Sequence, residues 1–122
     1  MILLIHTLIE GIVALLFLFY PGAPDLVPGF SDGQGQSYAM LMNMYGLAAG
    51  VLAALSLVAY LKKDNRELVL NVTGILTIFH IGMAIVQGLQ NPDARAMLLH
   101  FLLAIFMGGQ YVNQRKKDWR SA

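Results

Sequence analysis

At 122 residues, 57% hydrophobic and only 12% charged, the chain has too few charges to cover a water-facing surface, since soluble domains carry about 25%. A net charge of +1, with no basic patch interleaved with aromatics, sets nucleic acid aside as a partner. The absence of cysteine excludes disulfides, thiolate metal sites, iron–sulfur clusters and thiol catalysis.

The charges cluster in short segments between long apolar stretches, which is the membrane pattern. The expectation is one all-α domain: an integral membrane four-helix bundle, up-down-up-down. The first helix is predicted over about 2–20 and is stopped by Pro21 and Gly22. It has no basic segment before it and no A-x-A site after it, so it reads as a retained helix rather than a cleaved signal. Residues 21–37 are rich in Pro, Gly, Ser and Asp. They form a loop, with a short interfacial turn expected around Leu26, Val27 and Phe30. The second helix is predicted over about 38–61 and ends at Lys62 and Lys63. The third runs over about 68–89, up to the break at Asn91 and Pro92. The fourth runs over about 96–112, and a polar tail, 113–122, follows. Each apolar run is long enough for one crossing at 1.5 Å per residue. In lipid every backbone group must be satisfied within its own segment, so these runs are helices and not strands. The short second and third connections make successive helices antiparallel neighbours.

Lys62, Lys63, Arg66, Arg115, Lys116, Lys117 and Arg120 fall on one side of that layout, and only Arg95 on the other. The positive-inside rule then puts both termini and the tail in the cytoplasm, with loop 21–37 outside. Tyr20, Tyr38, Tyr60, Tyr111 and Trp119 lie near predicted helix ends, as an aromatic belt requires.

Few residues can carry chemistry. Glu10 is the one acid inside a predicted span, and His6 lies one turn before it on the same face. An intramembrane carboxylate is costly and needs a partner. Thr73, Thr77, His80 and Gln87 make a polar stripe on the third helix, which predicts a face turned into the bundle. Counting rise per residue places Glu10 nearly level with Thr77, with His80 about one turn further out. His6, Glu10, Thr77 and His80 are therefore the expected intramembrane polar site. The bland alternative is interhelical hydrogen bonding that only holds the bundle together.

His80 and His100, on neighbouring helices, could hold a haem between them. A metal site using His6 as well is not expected, because His6 is placed toward the opposite face. No catalytic residues, resident cofactor or metal are assigned. Ser56, the one serine in a span, has no basic neighbour in sequence. Gly46 and Gly50 form a G-x-x-x-G continued by Ala53 and Ala54, which predicts a close helix contact. Met40, Met42 and Met44 alternate over different helix faces and read as packing residues.

Glu10 and Gly11 within the first helix, the run Phe17, Leu18, Phe19, Tyr20, Pro21 and Gly22 at its end, and His80 in the third give a layout that resembles small bacterial DoxX-like membrane proteins. That resemblance implies four helices in the inner membrane and an accessory role, in some members beside quinone-coupled redox complexes. It carries over no functional residues. Three functions compete: a non-enzymatic accessory subunit or binder of a lipophilic molecule, a self-associating small transporter or channel using Glu10 as a proton or cation site, and a redox subunit holding haem or quinone through His80 and His100.

Overall fold

The computed structural model describes residues 1–30, 35–91 and 93–121, with side chains as far as Lys116. Expectations resting on residues 31–34 of the first loop, on Pro92 and on the side chains of Lys117, Trp119 and Arg120 lie outside the described residues.

The described residues form five helices: α1 (Ile2–Phe19), α2 (Ala23–Leu26), α3 (Gln36–Leu61), α4 (Arg66–Gln90) and α5 (Ala94–Ser121). No strand occurs among the described residues. Four of the helices are long and apolar enough to cross a bilayer. Local chemistry sets several boundaries. The Asn65 side chain accepts from the Leu68 backbone N–H at 3.0 Å, satisfying an otherwise orphaned donor at the start of α4. Asp93 does the same for Arg95 at the start of α5, at 3.0 Å.

Two differences from the sequence reading have simple causes. The interfacial turn expected near Leu26 and Phe30 is a one-turn helix that begins earlier, at Ala23, with Pro24 in its first turn, where a missing N–H costs nothing. The expected tail, 113–122, is not separate from the fourth long helix, because α5 continues to Ser121. Hydropathy marks where an apolar band ends, whereas Asn113, Gln114, Arg115 and Lys116 contain no helix breaker.

Packing is unequal. α1 lies extensively on α3, and α4 on α5, while the two pairs touch each other more sparingly. The α1–α3 seam uses small residues. A Cβ built on Gly46 would stand 3.0 Å from the Phe17 Cβ and 3.3 Å from the Ala14 carbonyl oxygen, whereas one on Gly50 would meet the Ala14 Cβ at an ordinary 3.6 Å. Gly46 opposite Phe17 and Ser56 opposite His6 make these two helices antiparallel. The predicted partner of the G-x-x-x-G face is therefore α1 of the same chain, and the tight contact is at Gly46.

Two apolar clusters occupy different levels of the bundle. One joins Leu3, Ala59, Val69, Val72, Leu76 and Met107. The other gathers Phe17, Ala23 and Met42 with Phe30 and Tyr45; Tyr45 packs edge to face on Phe17 and Phe30 at 5.2 and 4.8 Å between centroids, and those two rings are tilted on each other at 4.6 Å. The first loop is also tied to the α4–α5 turn. Asn91 Nδ2 donates to the Gly29 carbonyl at 2.5 Å, and the Gly29 N–H donates to Asp93 at 3.3 Å. Gly29 has φ +93° there, a conformation that suits glycine.

The molecule is inverted relative to a water-soluble protein. Its exposed side chains include Leu8, Ile12, Leu15, Leu47, Val51, Ile75, Ile78, Ile85, Phe101 and Ile105. Its buried ones include His6, Glu10, Ser56, Thr73, His80 and His100.

Candidate functional site

All the buried polar side chains named above except Thr73 meet at one place, and each long helix contributes. α1 brings His6 and Glu10, α3 brings Ser56, α4 brings His80 and α5 brings His100. Ser56 Oγ lies 2.6 Å from His6 Nδ1 and 3.0 Å from the Leu52 carbonyl. His6 Nε2 lies 2.7 Å from His80 Nε2, and His80 Nδ1 lies 3.0 Å from His100 Nδ1. The Glu10 carboxylate approaches His6 Nε2 at 3.8 Å. One ligand-capable atom each from His6, Glu10 and His80 lies within 4.8 Å of the others. His6, Ser56 and His80 have no exposed surface, Glu10 is 5% exposed and His100 7%.

This placement departs from the sequence expectation for a geometric reason. Counting rise from each helix start assumes that all helices begin at one level. Leu3 instead packs in one cluster with Val69, Val72 and Leu76, so α1 starts about two turns up α4. That offset brings His6 level with His80, with Glu10 one turn beyond and its carboxylate reaching back to His6. The expectation that His6 lies toward the face opposite His80 and His100 is corrected: His6 is bonded directly to His80.

The polar stripe on α4 divides its tasks. Thr73 and Thr77 donate to their own helix, to the Val69 carbonyl and the Thr73 carbonyl at 2.8 and 2.7 Å. The Thr77 methyl faces Gly108, 3.3 Å from where a Cβ would stand. Gln87 accepts from Asn91 at 2.8 Å. Only His80 of the stripe enters the cluster.

Ser56 is the member that sequence reading missed. It has no basic neighbour along the chain, and its histidine is 50 residues away. Its spacing from His6 is that of a nucleophile–base pair. However, Ser56 is fully enclosed, and His6 Nε2 is taken by His80 at 2.7 Å, nearer than the Glu10 carboxylate at 3.8 Å. A substrate carbonyl has no approach to it.

Haem between His80 and His100 does not fit. Two axial nitrogens bonded to one iron stand about 4 Å apart with a porphyrin plane between them. Here the two Nδ1 atoms are at hydrogen-bond distance, and the rings stack at 5.2 Å and 27°. Neither ring leaves the other room for a macrocycle.

The hydrogen-bonded chain has two self-consistent polarities. The Ser56 hydroxyl has one hydrogen. When it goes to the Leu52 carbonyl, His6 Nδ1–H donates to Ser56, His6 Nε2 accepts from His80 Nε2–H, and His80 Nδ1 accepts from His100 Nδ1–H. When it goes to His6 Nδ1, His6 Nε2–H donates to His80, and His80 Nδ1–H donates to His100. In the first polarity, the His6 lone pair points toward His80 and Glu10.

The chain matches no protein-family model, no curated protein and no solved structure.

Proposed function

We propose that the chain is a non-enzymatic multi-pass membrane protein that holds a cation at a site enclosed between its helices. On this reading the four long helices cross a bacterial inner membrane up-down-up-down, with both termini cytoplasmic and loop 21–37 outside. The inverted distribution of polar and apolar side chains supports the membrane placement. The seven-to-one distribution of Lys and Arg supports the orientation.

The observation that carries the functional reading is the convergence of His6, Glu10, Ser56, His80 and His100 from all four long helices. Hydrogen bonding that merely holds helices together needs one or two polar groups per interface and no acid. A carboxylate with two histidine nitrogens gathered on one point is the donor set of a cation site. The apolar clusters around Leu76 and around Phe17 flank it, as befits an occluded carrier site rather than an open pore. The site is assembled within one chain, so it needs no second copy. The accessory role that the DoxX-like resemblance implies is compatible with this, the bound cation then serving a larger complex.

Flux measurement tests the reading. Purified protein in liposomes containing entrapped indicators for protons, K⁺ and Zn²⁺ should carry at least one of them faster than protein-free liposomes. Glu10→Gln, which preserves shape and most hydrogen bonding, should abolish that flux without unfolding the protein. Rates equal to those of protein-free liposomes for all three ions would overturn the carrier reading.

A further inference from the structure

We infer that His6 Nε2, His80 Nε2 and the Glu10 carboxylate form a binding site for a divalent first-row transition-metal ion, with Ser56 and His100 as the groups that hold the two imidazoles in the ligating tautomer. The inference rests on reading the cluster as a cation site, and it names the ion class.

The distances come first. Around a tetrahedral ion with bonds of about 2.0–2.2 Å, neighbouring ligand atoms stand roughly 3.3–3.5 Å apart. The His6 and His80 Nε2 atoms are at 2.7 Å and the His6 Nε2 to Glu10 Oε1 distance is 3.8 Å, bracketing that value. Opening the first by about 0.6 Å and closing the second by about 0.4 Å reaches tetrahedral spacing, a change within the reach of small side-chain rotations. All three residues present their ligand atoms within 4.8 Å of one another.

The partners on the Nδ1 side of both rings are the second and independent observation. A histidine ligating through Nε2 characteristically donates its Nδ1–H to an outer partner that fixes the ring. Both rings have such a partner. His6 Nδ1 faces Ser56 Oγ at 2.6 Å, and Ser56 passes its own hydrogen to the Leu52 carbonyl at 3.0 Å. His80 Nδ1 faces His100 Nδ1 at 3.0 Å. Without an ion, one Nε2 donates its hydrogen to the other at 2.7 Å; with an ion, both Nδ1 atoms donate outward and both Nε2 lone pairs face it beside the carboxylate. A divalent ion there would take both Nε2 lone pairs and one carboxylate oxygen while both Nδ1 contacts are kept.

The donor set selects the class. Two imidazoles and one carboxylate suit Zn²⁺ and its first-row neighbours. The set lacks the thiolates and thioethers that favour Cu⁺, and it lacks the six or more oxygens that Ca²⁺ requires. Three protein ligands leave a fourth position open, as in sites where the ion is exchanged or a small ligand binds it.

Untagged, full-length protein in mild detergent, titrated with Co²⁺ and with Zn²⁺, tests this. The expected result is one ion per chain, the visible absorption of tetrahedral Co²⁺, its displacement by Zn²⁺, and a higher melting temperature with Zn²⁺. Glu10→Gln and His80→Gln should each weaken binding at least 100-fold, and Ser56→Ala about 10- to 100-fold through the His6 tautomer. Thr77→Val, outside the cluster, should leave binding unchanged. Absence of saturable Co²⁺ and Zn²⁺ binding by the wild-type protein would overturn the inference without reference to any variant. So would binding that Glu10→Gln leaves intact in a folded protein. Binding without transbilayer flux would keep the metal site and overturn only the carrier.

Discussion

At the scale of single residues, the cluster separates hydroxyls that matter to a neighbour from hydroxyls that do not. Thr73 donates only to carbonyls of its own helix, and those carbonyls already accept from helical N–H groups. Thr73→Val should therefore shift stability by less than about 1 kcal/mol. Ser56→Ala removes the partner of a fully buried imidazole nitrogen, which should cost about 1–3 kcal/mol. Thermal unfolding of both variants in one detergent checks the contrast, and equal midpoints would remove the special role of Ser56. Asp93, between α4 and α5, gives a pH prediction. Hydrogen bonds from the Arg95 side chain and backbone, and then from the Gly29 N–H, lower its pKa from 3.8 to about 2. A folded value below the unfolded one means the tie between loop and turn is complete above about pH 4 and is lost as pH falls through about 2. Proteolysis near Gly29 should accelerate over that window with an acid-active protease, and Asp93→Asn should be accelerated already at neutral pH.

At the scale of elements, the α1–α3 seam predicts an asymmetry within one motif. Gly46→Ala drives a methyl group toward Phe17, Leu18 and the Ala14 carbonyl. It should cost about 1–3 kcal/mol, because the contact involves backbone that cannot swing aside. Gly50→Ala meets only the Ala14 methyl at 3.6 Å. It should be neutral or stabilise by up to about 1 kcal/mol through helix propensity. Unfolding midpoints of the two single variants decide it, and a Gly50→Ala change as harmful as Gly46→Ala would contradict the packing. The asymmetry was not visible in the G-x-x-x-G pattern. That pattern shows which face is small but not which glycine the neighbouring backbone approaches.

At the scale of the whole molecule, the two tightly packed helix pairs are joined by the apolar cluster around Leu76, by the histidine chain and by the Gly29 tie to Asn91 and Asp93. The histidine chain is thus both the proposed site and a junction. An ion bound there should slow hydrogen exchange on α1 and α4 near His6 and His80 more than at the α1–α3 seam near Gly46. Orientation is tested separately. Reporter fusions after residue 122 should be active in the cytoplasm, and fusions within loop 21–37 should be active outside. A periplasmic signal from the C-terminal fusion would reverse the whole layout, moving Lys62 and Lys63 with it.

The number of long helices, their apolar character and most of their boundaries follow from composition and run length alone, because a helix that must satisfy its own backbone announces itself over about 20 consecutive residues. Glu10, His6 and His80 were legible as residues needing explanation, because a charged or titratable group in an apolar run stands out without any knowledge of its neighbours. Their meeting was not legible. It depends on the offset of α1 along α4, which Leu3, Val69, Val72 and Leu76 set by packing. A shift of two turns moves every interhelical partner while leaving each helix's own sequence unchanged. Ser56 became part of the site for the same reason: only the antiparallel register of α1 on α3 puts its hydroxyl against His6.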